Sequence, residues 1–175
     1  MDGESALQTL AQIAISLAGF GGLMVVLRRD PSGPLSVGES MDLALVVGGS
    51  LLALLFALLP LPLFHFGLSE PIAWQLASIL FGIALSVLHL RLAWARLVLP
   101  GPGVQPIWPR LTRAATWLPL GLALTLVPAA LGVLRGITVG LYLQALLVLL
   151  IVSAFPMVGI AVRLTFEIAE RNKRD

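Results

Sequence analysis

Two histidines and nine carboxylates are the chain's whole stock of groups that could shuttle a proton near neutrality or ligate a metal through N or O. There is no cysteine, which removes thiolate ligands, thiol nucleophiles and disulfides together. The carboxylates, Asp2, Glu4, Asp30, Glu39, Asp42, Glu70, Glu167, Glu170 and Asp175, all fall at the ends of apolar runs or between them. His65 and His89 map near opposite membrane faces, since their spans run in opposite directions, and are too far apart to share a metal ion. No HExxH, no glycine-flanked serine with a matching histidine and no pair of aspartates within an apolar run is present. The expectation is a protein that is not an enzyme, with no metal site and no cofactor. Coupled ion transport usually needs an ionisable group at mid-depth in the membrane, and no apolar run has one. The polar groups left inside the runs are neutral: Gln12, Ser16, Ser50, Gln75, Ser78, Ser86, Thr125, Gln144 and Ser153. Such groups line a passive path or bond helices together.

The run that stands apart from generic apolar helices is the first, ESALQTLAQIAISLAGFGGLMVVL, residues 4–27. Wound at about 3.6 residues per turn, it sorts into three faces. Ser5, Gln8, Gln12, Ser16 and Gly19 form a polar stripe, and Ala11, Ala14, Ala18 and Gly22 a stripe of small residues. Leu10, Ile13, Leu17, Phe20 and Met24 form a bulky side. Gln8, Gln12, Ser16 and Gly19 are therefore candidate pore-lining residues, with Asp2 and Glu4 at the outer mouth to enrich cations. Ala14, Ala18 and Gly22 are candidate packing positions, since small-xxx-small spacing lets helix backbones approach closely. The same spacing recurs at Gly49, Ala53 and Ala57, and at Ser78, Gly82 and Ser86.

The elements that must position this helix follow from composition. Of 175 residues, 58% are hydrophobic and only 11% charged, and mean hydropathy is +0.99. A soluble surface cannot be built from so few charges. The expected fold is all-α, a polytopic integral membrane protein that is one transmembrane domain over 1–175. Five apolar runs reach the ~20 residues a crossing needs, at about 5–27, 42–65, 72–95, 114–134 and 138–163. The first reads as a retained span rather than a cleaved leader, because no basic region precedes it. Pro31, Gly33 and Pro34 end its continuation, Pro60 and Pro62 unsettle the last turns of the second run, and the turn-rich stretch 100–109 stops the third. Pro119 and Pro128 in the fourth run, and Pro156 in the fifth, each remove a backbone donor. Residues 164–175 read as a cytoplasmic helical tail, with Glu167–Arg171 and Glu170–Arg174 as i,i+4 pairs.

Charge placement orients the chain. Arg28, Arg29, Arg91, Arg96, Arg110, Arg113, Arg163, Arg171, Lys173 and Arg174 fall on one side of a five-span protein, and only Arg135 on the other. The positive-inside rule then puts the N-terminus out and the C-terminus in. Trp94, Trp108 and Trp117 fall at the inner boundary, and Trp74 and Tyr142 at the outer. Arg28, Arg29, Arg110 and Arg113 would face anionic lipid on the cytoplasmic side of a bacterial inner membrane. So one-sided a bias predicts that any homo-oligomer is parallel. The partners implied are the lipid bilayer, further copies of the chain and a permeant ion, with no nucleic acid.

LAQIAISLAGFGGLMVVLRR resembles the opening helix of small bacterial membrane proteins of unknown function. SLAGFGGLMVV is also similar to the pore helix of Orai calcium channels, and FPMVGIAV to their proline-bent last helix. That resemblance implies a helix-lined pore. It transfers no site residue, because Val26 or Leu27 stands where that family has its selectivity glutamate, and the span count and helix direction differ. The leading expectation is a passive, pore-like homo-oligomer lined by the first helix. The alternative is a non-catalytic interaction or scaffold subunit that presents a basic cytoplasmic face.

Overall fold

In a computed structural model of the protein, the described residues are 3–27, 37–98, 117, 121–128, 131 and 137–171. They form helices α1 (Glu4–Leu27), α2 (Val37–Leu58), α3 (Pro60–His65), α4 (Glu70–Val98) and α5 (Thr138–Arg171), with a further helical stretch at 121–128. Among the described residues four stretches are long and apolar enough to cross a membrane: Glu4–Leu23, Asp42–His65, Glu70–Arg91 and Thr138–Gly159. The architecture is all-helical among the described residues, as a chain must be if it satisfies its backbone groups without water. Most of the run at 114–134, together with Asp2, Arg28, Arg29, Arg110 and Arg113, lies outside the described residues.

The second apolar run divides into α2 and α3. Leu59 keeps helical dihedrals (φ −56°, ψ −41°) and its N–H still bonds the Leu55 carbonyl at 2.9 Å. Pro60 and Pro62 have no N–H to continue the ladder. Gly67, at φ +88°, ends α3 in the left-handed region that favours glycine, while its N–H bonds the Phe64 carbonyl at 3.1 Å. In α5 the helix carries on through Pro156 and extends to Arg171.

Three helices begin at one end of the bundle. A Cβ on Gly3 would lie 3.1 Å from Val139 and 3.9 Å from Trp74, so the starts of α1, α4 and α5 converge. α2 runs the other way between α1 and α5 and packs along both. Its stripe of Gly49, Ala53 and Ala57 is buried. At the closest crossing a Cβ on Gly49 would collide with the Ser153 hydroxyl and sit 3.1 Å from Ser153 Cβ. On the opposite side Gly82 of α4 faces the 121–128 stretch, its Cβ position 3.8 Å from the Ala123 carbonyl.

The core near the convergent end is aromatic. Phe56 and Phe81 stack with ring centroids 4.9 Å apart, and Tyr142 meets both Trp74 and Phe81 edge-on at 5.4 Å. Offset and edge-on contacts of this kind add about 0.5–1.5 kcal/mol each beyond burial. Trp74 and Tyr142 thus lie within the bundle, at 2% and 0% exposure, rather than facing lipid headgroups. The Tyr142 hydroxyl donates a 2.6 Å hydrogen bond to the Phe56 carbonyl.

The outward face of α1 as a candidate functional site

Burial divides α1 cleanly. Leu7, Leu10, Ala11 and Ala14 face the core, with Leu17 and Ala18 half-buried beside them. The core side therefore takes the first part of the small stripe plus two leucines of the bulky side. Closest approach to α2 falls at Gly21, where a Cβ would lie 3.0 Å from both Val46 and Val47. Gly22 points outward, with nothing within 4 Å of its Cβ position.

Directly opposite the core lies the polar stripe. Glu4, Ser5, Gln8, Gln12, Ser16 and Gly19 are all exposed on the surface of the protomer. Thr9, which a reading of Ser5–Gln12–Ser16 alone passes over, joins this face. The helical wheel held the signal, since position 9 lies four residues after Ser5 and three before Gln12. Space is open above Gly19, with nothing within 4 Å of its Cβ position. Four residues further on, Leu23 continues the line as a half-exposed aliphatic side chain, so the polar character ends there.

The outward faces of α2, α4 and α5 are mainly aliphatic among the described residues, as a surface against lipid should be. α2 shows Leu51, Leu55 and Leu58, and α4 shows Ile79, Leu80, Ile83, Val87 and Leu90. α5 shows Leu147, Ile151 and Val158, with a single amide, Gln144, among them. Among the described residues only α1 carries a run of amide, hydroxyl and glycine on the side away from its core, with Ile13, Ile15 and Phe20 exposed beside it.

Hydrogen bonding sharpens this contrast. Thr9 Oγ1 donates to the Ser5 carbonyl at 2.9 Å and Ser16 Oγ to the Gln12 carbonyl at 3.0 Å. Neither hydroxyl needs a neighbour to spend its proton. A side-chain amide has two donor hydrogens and a carbonyl oxygen, and among the described residues the exposed Gln8 and Gln12 amides make no such bond to their own helix.

The remaining polar groups are scattered. Ser50, Ser78 and Ser153 are buried, Ser153 Oγ donating to the Leu149 carbonyl at 2.8 Å, while the Ser50 and Ser78 hydroxyls meet no partner. Gln75 and Ser86 are half-buried, and Ser86 Oγ donates to the Gly82 carbonyl at 2.7 Å. Thr125 is exposed and donates to the Leu122 carbonyl at 2.7 Å. His65 is exposed at the end of α3 with Nδ1 2.8 Å from the Leu61 carbonyl. His89 is buried late in α4 with Nδ1 2.9 Å from the Leu85 carbonyl. Among the described residues no three His, Asp or Glu side chains come together as a metal site would require.

Comparison with known proteins adds no name to this arrangement: no family model, no curated protein and no solved structure matches the chain.

Proposed function

We propose that the protein is a passive, pore-like homo-oligomer of the bacterial inner membrane in which copies of α1 surround a polar path. The observation that carries this reading is the outward stripe of Gln8, Gln12, Ser16 and Gly19, a polar line set among the exposed apolar side chains Ile13, Ile15, Phe20 and Leu23 of α1. An amide facing hydrocarbon without a partner costs a few kcal/mol, so these two glutamines are unfavourable in a lone protomer surrounded by lipid. An amide is donor and acceptor at once, which makes the face complementary to a copy of itself or to water. The stripe is flanked by exposed apolar side chains on both sides, Phe20 and Ile13 on one and Ile15 on the other.

The reading has five crossings, with the N-terminus out and the C-terminus in on the strength of the arginine bias. It is supported by α4 and α5 beginning at the same end and by Ala123 and Leu126 of the helical stretch at 121–128 lying in the core beside Gly82. Ala14 and Ala18 then serve packing within the protomer, and Asp2 and Glu4 stand at the outer mouth. Arg28, Arg29, Arg110 and Arg113 meet anionic lipid on the inner side.

A second reading, a scaffold subunit without a path, draws on α5. Its helix runs on to Arg171, eight residues past the expected end of the fifth apolar run at 163, about 12 Å at 1.5 Å per residue. Such an extension suits a docking element for a cytoplasmic partner. Ion flux into liposomes holding the purified protein, with particle size measured on the same sample, separates the two. The pore reading expects flux from a ring of three or more copies. A monomer with no flux for any common ion would leave the scaffold.

A further inference from the structure

We propose that the path along α1 admits small monovalent cations and disfavours anions. This rests on the pore reading and names its permeant class. It follows from where the hydroxyl protons go. Thr9 and Ser16 each have one O–H, and each gives it to a backbone carbonyl of its own helix, Thr9 to Ser5 and Ser16 to Gln12. Each hydroxyl then turns only lone pairs towards the outside of the helix.

An anion in a narrow path needs donors to replace its hydration shell, whereas a cation needs acceptors. On the described face the side-chain donors to spare are the Ser5 hydroxyl and the Gln8 and Gln12 amides, each of which offers an oxygen equally well. Thr9 and Ser16 add acceptors alone, and the exposed Glu4 carboxylate adds negative charge in the first turn. Four neutral residues supply oxygen ligands over about two turns of helix, and no cationic side chain stands among them. The α1 N-terminus carries a partial positive charge, which Glu4 opposes. Neutral oxygens bind weakly hydrated monovalent ions in preference to divalent ones, because Ca²⁺ sites rely on carboxylates and Mg²⁺ gives up its water reluctantly.

The test is reversal potential. Purified full-length protein in a planar bilayer under a KCl gradient should reverse on the potassium side of zero, and replacing KCl by CaCl₂ or MgCl₂ should cut the cation current severalfold. The double variant Thr9→Val/Ser16→Ala removes both acceptor oxygens from an exposed face, so it should assemble normally while its potassium-to-chloride permeability ratio falls severalfold. Reversal at zero or on the chloride side would overturn cation preference and leave the pore standing. An unchanged ratio in the double variant would show that the hydroxyl oxygens are not its source. Absence of current in every salt would remove the pore reading, and this inference with it.

Discussion

Pro60 has no N–H to offer the Phe56 carbonyl four residues before it, and the Tyr142 hydroxyl, at 2.6 Å, takes the missing donor's place. This one bond ties α5 to the point where α2 gives way to α3, inside the aromatic cluster. Losing it would leave a buried carbonyl unsatisfied, a cost of about 1–3 kcal/mol. Tyr142→Phe should therefore lower thermal stability in detergent by that order. Pro60→Ala restores a backbone N–H that can bond the same carbonyl, so Tyr142→Phe should cost clearly less in the Pro60→Ala background than alone. Equal losses in both backgrounds would mean that the hydroxyl does not replace the missing donor. Nothing in the sequence joins residues 56, 60 and 142. The prolines alone were legible, as a disturbance of the second run, but which side chain repairs it depends on how three helices meet.

The apolar runs themselves were readable, because a span needs a long run of apolar side chains whatever surrounds it. Which face of a helix turns inward was harder to read, since leucine suits both lipid and core. On α1 the bulky side divides, with Leu10 buried and Phe20 exposed, and no hydropathy pattern separates the two. Small residues gave a better guide where backbones touch. Gly49, Ala53 and Ala57 mark the buried line of α2, while on α1 close approach falls at Gly21 rather than Gly22. At the α2–α5 crossing Gly49→Ala would drive a methyl group into Ser153, and overpacking of this kind costs about 1–3 kcal/mol. Gly49→Ala should lower the melting temperature, and adding Ser153→Gly should recover most of the loss. Recovery by an unrelated change such as Leu147→Ala, but not by Ser153→Gly, would mean that the crossing lies elsewhere.

For the whole molecule, helix packing shows which helix ends lie together, and the proposed orientation rests on charge bias alone. Arginine placement favours an outer N-terminus, while the convergence of Gly3, Trp74 and Val139 brings the starts of α1, α4 and α5 to one end. The chain lacks cysteine, so single cysteines report cleanly. Cysteines at Gly3 and Ser69 should react with an impermeant thiol reagent in intact cells, and cysteines at Ser32, Gln105 and Arg174 should not. Labelling of Gln105 from outside would reverse the orientation.

The polar stripe was legible because a period of 3.6 places Gln8, Gln12, Ser16 and Gly19 in line whatever they face. That the line turns away from the protomer's own core emerges only from the packed bundle, and the ring requires contacts between copies. The most direct measurement is ion flux through liposomes holding the Gln12→Cys protein, before and after adding a polar thiol reagent. If copies of α1 surround the path, modification at mid-stripe blocks flux, and the same reagent leaves a Leu55→Cys control on the lipid face of α2 unaffected. Undiminished flux after complete modification of Gln12→Cys would contradict a path along α1.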